Sequence, residues 1–209
     1  MARGRFITLE GGEGAGKSTQ QNRLVARLSE LGFDVVSTRE PGGSEGGEAI
    51  RELLVNGPAD KWSAVTEVLL MNAARRDHLE RRIRPALERG AFVVCDRFAD
   101  STRAYQGAGG EADPALIDAI ERHVVGETRP DLTLILDLPV EEGLQRAAGR
   151  GGGEARFEAK GIDFHQRLRQ GFLAIAAAEP KRCVVIHSAQ PQEVVAEAIW
   201  AAVRERLGL

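Results

Sequence analysis

Short apolar segments alternate with longer amphipathic segments along the chain. The apolar segments predict buried strands at residues 5–10, 33–37, 92–96, 132–137 and 183–186. Apolar residues at helical spacing predict helices at residues 17–31, 44–55, 63–89, 114–125, 157–178 and 191–207. The predicted helix at 63–89 is interrupted near Pro85. A further predicted helix begins at Pro139 and runs into the Gly/Arg-rich residues 149–156. Residues 99–112 are polar and predict a loop. Apolar strands that alternate with helices are typical of a parallel sheet covered on both faces.

The 209-residue chain has neither an internal repeat nor a low-complexity linker, so we expect a single domain over residues 1–209. No apolar run approaches the roughly 20 residues that cross a bilayer, which excludes a membrane protein. The apolar run near the N-terminus is too short for the core of a signal peptide and predicts a strand. Cys95 and Cys183 cannot form a disulfide framework and lack metal-ligand spacing, so we expect a cytoplasmic protein.

The charge balance argues against a general nucleic-acid-binding protein, because the net charge is −3. Among the 28 basic residues, the lysines are only Lys17, Lys61, Lys160 and Lys181, and the rest are arginines. Arginine presents a planar fork that suits phosphate and carboxylate groups. A genome-wide preference for arginine explains most of them equally well, so their positions must decide.

A glycine-rich segment between a predicted strand and a predicted helix matches the pattern G-x-x-x-x-G-K-[ST]. Consecutive glycines let the backbone wrap around a phosphate, Lys17 adds a positive charge, and the Ser18 hydroxyl is a candidate Mg²⁺ ligand. The N-terminus of the helix that follows also favours an anion. The candidate phosphate-binding residues are Gly11, Gly12, Glu13, Gly14, Ala15, Gly16, Lys17, Ser18 and Thr19. The sequence therefore predicts a nucleoside triphosphate site.

The chain lacks the N/T-K-x-D motif with which a GTPase reads its base, and it is small for a motor or transporter ATPase. A small kinase is the more economical interpretation. A nucleotide-binding module or switch without catalytic activity is the alternative from a different class. It would bind ATP without turnover and would tolerate the loss of Arg97.

Six segments resemble the bacterial thymidylate kinases, and the resemblance extends over the whole chain. The specificity comes from the order and spacing of the segments rather than from the phosphate loop alone. They are Leu9–Thr19, Thr38-Arg-Glu-Pro-Gly-Gly43, Ala73-Ala-Arg75, Asp96-Arg97, Ser101-Thr-Arg-Ala-Tyr-Gln-Gly107 and Arg129-Pro-Asp-Leu-Thr133.

The resemblance implies an α/β fold: a P-loop NTPase three-layer sandwich with a five-stranded parallel sheet flanked by helices and a short Arg/Gly-rich lid. It implies transfer of the γ-phosphoryl group of ATP, with Mg²⁺, to dTMP, giving dTDP for DNA precursor synthesis. A kinase for another nucleoside monophosphate or for a deoxynucleoside is the alternative. A homodimer is also implied, and we expect residues 63–89 to form part of the interface.

Two residues that follow the third predicted strand are candidates for phosphoryl chemistry. Asp96 ends the strand, where a carboxylate faces the crevice at the carboxyl edge of the sheet. It would hold Mg²⁺ or hold Arg97 in place, and capping of the next helix is the alternative. By resemblance, Arg97 and Arg51 bind the acceptor monophosphate. Arg51 is flanked by carboxylates, so a surface ion pair is a competing role.

The same resemblance assigns the base and sugar contacts. It implies that Arg75 contacts a thymine carbonyl and that Thr102 contacts the polar edge of the base. It also implies that Tyr105 lies against the sugar 2′ position, where a phenol would crowd a ribose. Gln106, in the same segment, is also assigned to substrate binding. Glu13 corresponds to an acidic position near the 3′-hydroxyl, and a solvated loop carboxylate is its alternative. Many family members have an aromatic residue where this chain has Met71, so stacking on the base and a core role are both open.

Arginines and glycines alternate in the predicted lid, at about residues 146–158. Arginines on a mobile loop can close over a triphosphate and neutralise the charge that develops during transfer. The resemblance implies that a phosphate loop without a catalytic arginine goes with arginines supplied by the lid, and residues 12–15 carry no basic side chain. We expect Arg150 and Arg156 to act first and Arg146 second. A solvated loop is the alternative. No general base is required, since the nucleophile is an ionised phosphate oxygen.

Overall fold

One parallel sheet organises the part of the chain that the computed structural model describes, residues 3–149 and 155–209. Its strands are β1 (Phe6–Glu10), β2 (Val35–Arg39), β3 (Phe92–Asp96), β4 (Leu132–Asp137) and β5 (Cys183–His187), in the order β2-β3-β1-β4-β5. Every pairing is parallel. This confirms the predicted five-stranded sheet, although β2 begins two residues later than predicted.

Helices cover both faces of this sheet. In chain order they are α1 (Lys17–Glu30), α2 (Glu45–Val55), α3 (Ala64–His78), α4 (Arg84–Glu88), α5 (Ala99–Thr102), α6 (Pro114–Val124), α7 (Val140–Ala148), α8 (Ala155–Glu158), α9 (Ile162–Ala178) and α10 (Gln192–Leu207). A π-helical turn, Leu79–Ile83, joins α3 to α4, and a second, Arg103–Ala108, continues α5. Within the described ranges, no helix has the length and apolarity needed to cross a membrane.

Alternate residues of the central strands supply two separate cores. Ile7 and Leu9 pack with Leu24 and Leu28 of α1 and with Trp200 of α10 on one face of the sheet. On the other face, Phe6, Val93 and Cys95 pack with Leu79 and Ile83. Successive strand side chains point to opposite faces, so a strand covered on both sides must be apolar throughout. The continuous apolar runs in the sequence have this cause.

The predicted loop at residues 99–112 is wrong over its first ten residues, which form α5 and its π-helical continuation. The polar side chains of these ten residues are buried or half-buried and make hydrogen bonds within the protein. The Arg182 guanidinium, for example, donates two hydrogen bonds to Asp100, at 2.6 and 2.9 Å. Polarity signals a loop only when the polar groups face water, and here they face other polar groups inside the protein.

Two predicted helices are divided in the structure. The predicted helix 157–178 is interrupted before α9, whose N-cap is Gly161. The predicted interruption near Pro85 is confirmed but begins earlier, at the π-helical turn Leu79–Ile83. Pro85 lies in the first turn of α4, where its missing N–H removes no hydrogen bond within that helix.

The phosphate loop and α7 approach each other so closely that only glycine fits at the contact. A Cβ on Gly143 would lie 2.5 Å from the Glu13 carbonyl oxygen, and a Cβ on Gly14 would lie 2.0 Å from the Gly143 carbonyl oxygen. The position of the loop after β1 therefore depends on a helix that follows β4. Gly149, at the end of α7, has no such contact, because its nearest neighbour would be 3.8 Å away.

We expect Gly143→Ala to lower the free energy of unfolding by about 1–3 kcal/mol, because the added methyl group overpacks a rigid backbone contact. Gly149→Ala is the matched control, in the same helix, and should change stability by less than about 0.5 kcal/mol. Urea unfolding of both variants measures the difference. Equal stabilities would contradict the close packing of the loop against α7.

Candidate active site

The loop between β1 and α1 is shaped for an anion. Gly11, Gly14 and Gly16 have positive φ angles of 135°, 69° and 90°, which residues with a side chain rarely adopt. Helix α1 begins immediately afterwards, at Lys17, so its N-terminal N–H groups and the positive end of its dipole lie at the loop. The predicted phosphate-binding segment therefore has the expected strand–loop–helix context.

The backbone of this loop holds the Lys17 side chain in place. Its Nζ donates hydrogen bonds to the carbonyl oxygens of Gly11 and Gly12, at 3.2 and 2.8 Å. Burial, and then repulsion by the Arg97 guanidinium, lower the pKa of the ammonium group below its usual value. The side chain lies where a point charge would meet phosphate oxygens.

Ser18 and Asp96 form a pair of oxygen donors beside the loop. The Ser18 hydroxyl donates to Asp96 Oδ2 at 2.7 Å. Asp96 Oδ1 is buried and has no hydrogen-bond partner within residues 3–149 and 155–209. A hydroxyl and a carboxylate are oxygen ligands of the kind that Mg²⁺ prefers, and a buried carboxylate oxygen without a partner is suited to a cation. These residues therefore fit a magnesium ion.

Arg97 connects the phosphate loop to the next part of the site. It has φ 68°, unusual for a residue with a side chain, at the turn that follows β3. Its guanidinium donates to the Gly11 carbonyl oxygen at 3.0 Å and to Glu13 Oε1 at 3.1 Å. The same group lies 4.8 Å from the centre of the Tyr105 ring. The strained turn thus aims a buried cation across the crevice.

Glu13 joins the two sides of the crevice. Its carboxylate accepts hydrogen bonds from Arg97 and from the Tyr105 hydroxyl. Burial alone would raise the pKa of this group, but Arg97 and Lys17 outweigh burial and lower it below the usual value. The carboxylate is therefore ionised at neutral pH, and the solvated-loop alternative does not describe it.

A second cavity lies beyond Arg97, on the side away from the phosphate loop. Arg75 projects into it, with its guanidinium fixed by Glu40 Oε2 at 2.8 Å, the Phe98 carbonyl oxygen at 3.0 Å and Thr102 Oγ1 at 3.1 Å. The residues predicted to bind the acceptor that line this cavity are Met71, Arg75, Arg97, Thr102, Tyr105 and Gln106. The structure therefore brings them together around one space.

The helical geometry of residues 99–108 explains why Thr102, Tyr105 and Gln106 line the same cavity. Residues three and four positions apart lie on the same face of a helix, and here that face borders the cavity. The π-helical turn Arg103–Ala108 carries both Tyr105 and Gln106, and such turns are frequent at functional sites. The spacing of these residues is the sequence signal that the loop prediction ignored.

Met71 and Arg51 lie at the edges of the cavity. Met71 lines it and also packs against the apolar cluster that contains Tyr105 and Phe157, so a cavity role and a core role coexist. Arg51 Nη1 donates to the Pro41 carbonyl oxygen at 2.7 Å, and Pro41 lines the same cavity. The Arg51 head group is therefore near the rim rather than confined to the outer face of α2.

The described arginines of the predicted lid, Arg146 and Arg156, have different surroundings. Arg150 lies outside the described residues. Arg146, on α7, pairs with Glu142 and donates to the Ser188 carbonyl oxygen at 3.3 Å. Arg156, on α8, is fully buried, and its hydrogen bonds given by the structure go to Glu67 and to backbone carbonyls rather than to the phosphate loop. The structure does not bring Arg156 to the predicted transfer site.

Glu40 is a site residue to which the sequence analysis assigned no role. One oxygen of its buried carboxylate accepts from Arg75, and the other lies 3.0 Å from His78 Nδ1. His78 Nε2 lies 2.7 Å from Thr38 Oγ1. This chain of polar contacts fixes the guanidinium that faces the cavity. The sequence signal for Glu40 was present in the Thr38–Gly43 segment, where this carboxylate directly follows β2.

Glu10 is the second residue without an assigned role, and it is fully buried at the end of β1. The Phe98 N–H and the Ser101 hydroxyl donate to its two oxygens, at 2.7 and 2.6 Å. Burial, together with the negative charge of Asp100, raises its pKa to about 8. It thereby connects the central strand to the turn that carries Arg97.

Comparison with known proteins finds the same family over most of the chain. A family model described as thymidylate kinase matches residues 9–199. A thymidylate kinase of Caulobacter vibrioides is 66% identical and covers 100% of both chains, and one of Nitrobacter hamburgensis is 53% identical over 99% of this chain and 91% of its own. The crystal structure of thymidylate kinase from Ehrlichia chaffeensis has a TM-score of 0.79 and 34% identity, covering 96% of this chain and 99% of that chain.

We predict that Glu10 makes the protein less stable as the pH rises from about 5 to 8. In that range the folded state keeps a proton that the unfolded chain, with a pKa near 4.5, has released. The free energy of unfolding therefore decreases by up to about 1.4 kcal/mol per pH unit from this group. The decrease stops above the pKa of the folded state.

Glu10→Gln should remove this contribution, because an amide does not titrate and retains an acceptor for the Phe98 N–H. Urea unfolding of both proteins at each pH unit from 5 to 9 provides the test. The stability of the variant relative to the original protein should rise with pH over this range. Parallel profiles would show that Glu10 titrates as it does in the unfolded chain.

Proposed function

Given that the chain belongs to the thymidylate kinase family, we propose that the phosphate loop and the cavity beyond Arg97 are the donor and acceptor halves of its active site. The enzyme transfers the γ-phosphoryl group of ATP, with Mg²⁺, to dTMP and forms dTDP. The observation that carries the proposed division is the position of Arg97, which contacts the phosphate loop and lines the second cavity.

In the donor half, the backbone of residues 11–16 and the N-terminus of α1 hold the triphosphate. Lys17 exchanges its contacts with the Gly11 and Gly12 carbonyls for contacts with phosphate oxygens. Ser18 and Asp96 would hold Mg²⁺, supported by the buried Oδ1 of Asp96 that lacks a protein partner within the described residues. The ion supplies neutralisation of the charge on the phosphates.

In the acceptor half, Arg97 binds the monophosphate of dTMP and Arg51 approaches it from the rim. Because Arg97 donates to the Gly11 carbonyl, the acceptor phosphate that it binds lies next to the phosphate loop. The attacking oxygen is already ionised at neutral pH, so these residues accelerate transfer by positioning and by neutralising charge. This arrangement needs no general base.

The base lies against the cavity wall formed by α3 and α5. Arg75, fixed by Glu40 and Thr102, donates to a thymine carbonyl. Thr102 and Gln106 contact the polar edge of the base, and Met71 packs against its face. Each contact is supported by the position of the side chain on the cavity wall.

The sugar lies between Tyr105 and Glu13. The hydroxyl of Tyr105 donates to the Glu13 carboxylate, which places both polar groups at one point of the crevice. A ribose 2′-hydroxyl at this point meets the phenol, whereas a deoxyribose does not. The carboxylate remains available to a 3′-hydroxyl.

Lid arginines would complete the donor half. Arg150 remains a prediction, outside the described residues. Arg146 donates a hydrogen bond to the Ser188 carbonyl oxygen. It lies on α7, the helix that contacts the phosphate loop through Gly143, and this position supports a role at the donor half.

We also infer a single kinase domain, a homodimer and a cytoplasmic location. One sheet containing all five described strands supports the single domain. Two cysteines that are buried and unpaired, Cys95 and Cys183, fit a reducing compartment. The dimer is supported by exposed apolar side chains on adjacent helices, Leu53 on α2 and Val65 and Leu69 on α3, of which Leu69 is 54% exposed.

The Tyr105 assignment predicts that Tyr105→Phe loses discrimination against ribose. The ratio of kcat/KM for dUMP to that for UMP should fall about tenfold, because the phenol no longer crowds the 2′-hydroxyl. Turnover of dTMP should remain within a fewfold of the original.

ADP release with dTMP, dUMP, UMP, CMP, GMP, AMP and thymidine, each presented separately, measures these effects. The original enzyme should prefer dTMP, accept dUMP weakly and leave the others near background. Efficient turnover of another acceptor would support the alternative substrate class. An unchanged dUMP/UMP ratio in the variant would contradict the role of Tyr105.

For the dimer, we predict that Leu69→Glu produces a monomer of 22.6 kDa, whereas the original chain has about twice that mass. A carboxylate on the apolar face of α3 would be desolvated in the interface. Leu31→Glu is the control, since Leu31 is 57% exposed at the end of α1, away from this face. Light scattering after gel filtration distinguishes the two masses, and a monomeric original chain would contradict the proposal.

A further inference from the structure

A buried ion pair lies behind the wall of the acceptor cavity. Arg156 and Glu67 have side chains only 0% and 5% exposed, and Arg156 Nη2 donates to Glu67 Oε1. The same guanidinium donates to the carbonyl oxygens of Leu54 and Pro58, both at 3.0 Å. A buried guanidinium is stable only when its donors and its charge are satisfied, and here carbonyls and one carboxylate do both.

The other oxygen of Glu67 contacts Gln106, a residue of the cavity wall. Gln106 Nε2 donates to Glu67 Oε2 at 2.9 Å. Gln106 Oε1 is buried and has no hydrogen-bond partner among residues 3–149 and 155–209. Glu67 therefore occupies the donor side of this amide, and the acceptor side is left for something else.

The carboxylate decides which end of the amide faces it. The two ends of a glutamine amide have nearly the same shape, so packing does not distinguish one orientation from its reverse. An ionised carboxylate accepts hydrogen bonds and donates none. It therefore requires the NH₂ group of Gln106 on its side. On its other side, Glu67 faces the Arg156 guanidinium, which donates to Oε1 and leaves Oε2 for Gln106.

We propose that Glu67, paired with Arg156, is a positioning residue that orients Gln106 so that its Oε1 accepts a hydrogen bond from the acceptor base. Thymine and uracil carry an N3–H donor on their polar edge, whereas N3 of cytosine is an acceptor. The oriented amide thus favours thymine over cytosine. This inference rests on the proposed contact between Gln106 and the base, and it assigns the base preference to a pair of residues that lies outside the cavity lining.

The pair also connects α8 to the acceptor side of the molecule. Arg156 lies on α8, whereas its carbonyl partners Leu54 and Pro58 belong to the end of α2 and the segment that follows, and Glu67 belongs to α3. The positive charge that pairs with the orienting carboxylate is therefore supplied from a helix about 50 residues away from Gln106 in the sequence. A pattern of cavity residues alone does not reveal it.

Glu67→Gln tests the proposal by reversing the amide. The new side chain has one acceptor, which the Arg156 guanidinium takes, so its NH₂ group faces Gln106. Two NH₂ groups do not bond to each other, and Gln106 then rotates and presents its own NH₂ to the cavity. We expect the ratio of kcat/KM for dTMP to that for dCMP to fall at least tenfold, mainly through a higher KM for dTMP.

A control variant separates this effect from a general loosening of the site. Glu121→Gln removes the charge of another buried glutamate, which holds Arg103 on the helical segment that carries Gln106. It should leave the dTMP/dCMP ratio unchanged. A loss of activity in Glu67→Gln with an unchanged ratio would overturn the proposal and leave the pair a purely structural role.

Gln106→Leu tests the underlying contact separately. If Gln106 reads the base, this variant loses discrimination between dTMP and dCMP. Lost discrimination in Gln106→Leu, with full discrimination in Glu67→Gln, would reject the role of Glu67 and keep that of Gln106. Full discrimination in Gln106→Leu would reject the contact itself, and with it this inference, while the kinase activity on dTMP stands.

Thermal unfolding shows whether Glu67→Gln folds. If it does not fold, Glu67→Asp is used to test the proposal instead. It keeps the charge but withdraws the carboxylate from Gln106 by one methylene group. The amide then loses its fixed orientation without being reversed. The dTMP/dCMP ratio should fall about threefold, and an unchanged ratio in a folded Glu67→Asp variant would overturn the proposal.

Discussion

The turn after β3 is the constraint on which the rest of the site depends. Arg97 adopts a left-handed backbone conformation that is unfavourable for a residue with a side chain. Two contacts with β1 hold it there: the Arg97 N–H donates to the Leu9 carbonyl oxygen at 2.9 Å, and the next N–H, of Phe98, donates to Glu10. Because the central strand holds two successive N–H groups of the turn, the guanidinium reaches both the phosphate loop and the cavity beyond Arg97.

Three buried acidic residues have a common task in this protein, which is to hold the groups that we propose to contact substrate. Glu10 fixes the turn of Arg97, Glu40 fixes the guanidinium of Arg75, and Glu67 accepts from Gln106. Glu40 and Glu67 are buried and each pairs with a buried arginine, whereas burial raises the pKa of Glu10 to about 8, so that it keeps its proton at neutral pH. The polar surface of the proposed site thus depends on a second layer of buried acidic residues behind it.

Glu10 and Glu13 show how different surroundings shift the pKa values of two nearby carboxyl groups in opposite directions. Burial and the negative charge of Asp100 raise the pKa of Glu10 to about 8, whereas Arg97 and Lys17 outweigh burial at Glu13 and lower its pKa. Glu10 therefore holds backbone and hydroxyl groups in the interior. Glu13 keeps its negative charge at the crevice, where it accepts from Tyr105 and Arg97.

The strands and the phosphate loop were predictable because their causes are local. A central strand is apolar because both of its faces are covered, and the loop needs glycine because its φ angles are positive. Residues 99–112 were not predictable in this way. Their polar side chains face partners from distant segments, among them Arg182 for Asp100 and Glu67 for Gln106, so local polarity indicated solvent where there is none.

The sequence by itself determined the order of strands and helices, the phosphate loop and, through its resemblance to a family, the residues that line the cavity beyond Arg97. These are properties of short segments, whose spacing and residue types carry the information. The tertiary structure decided which charges lie behind those residues. It placed Arg156 in a buried pair with Glu67, gave Glu10 its raised pKa, and joined Glu40 to Arg75. Burial and pairing depend on contacts between residues far apart in the chain, and no local pattern records them.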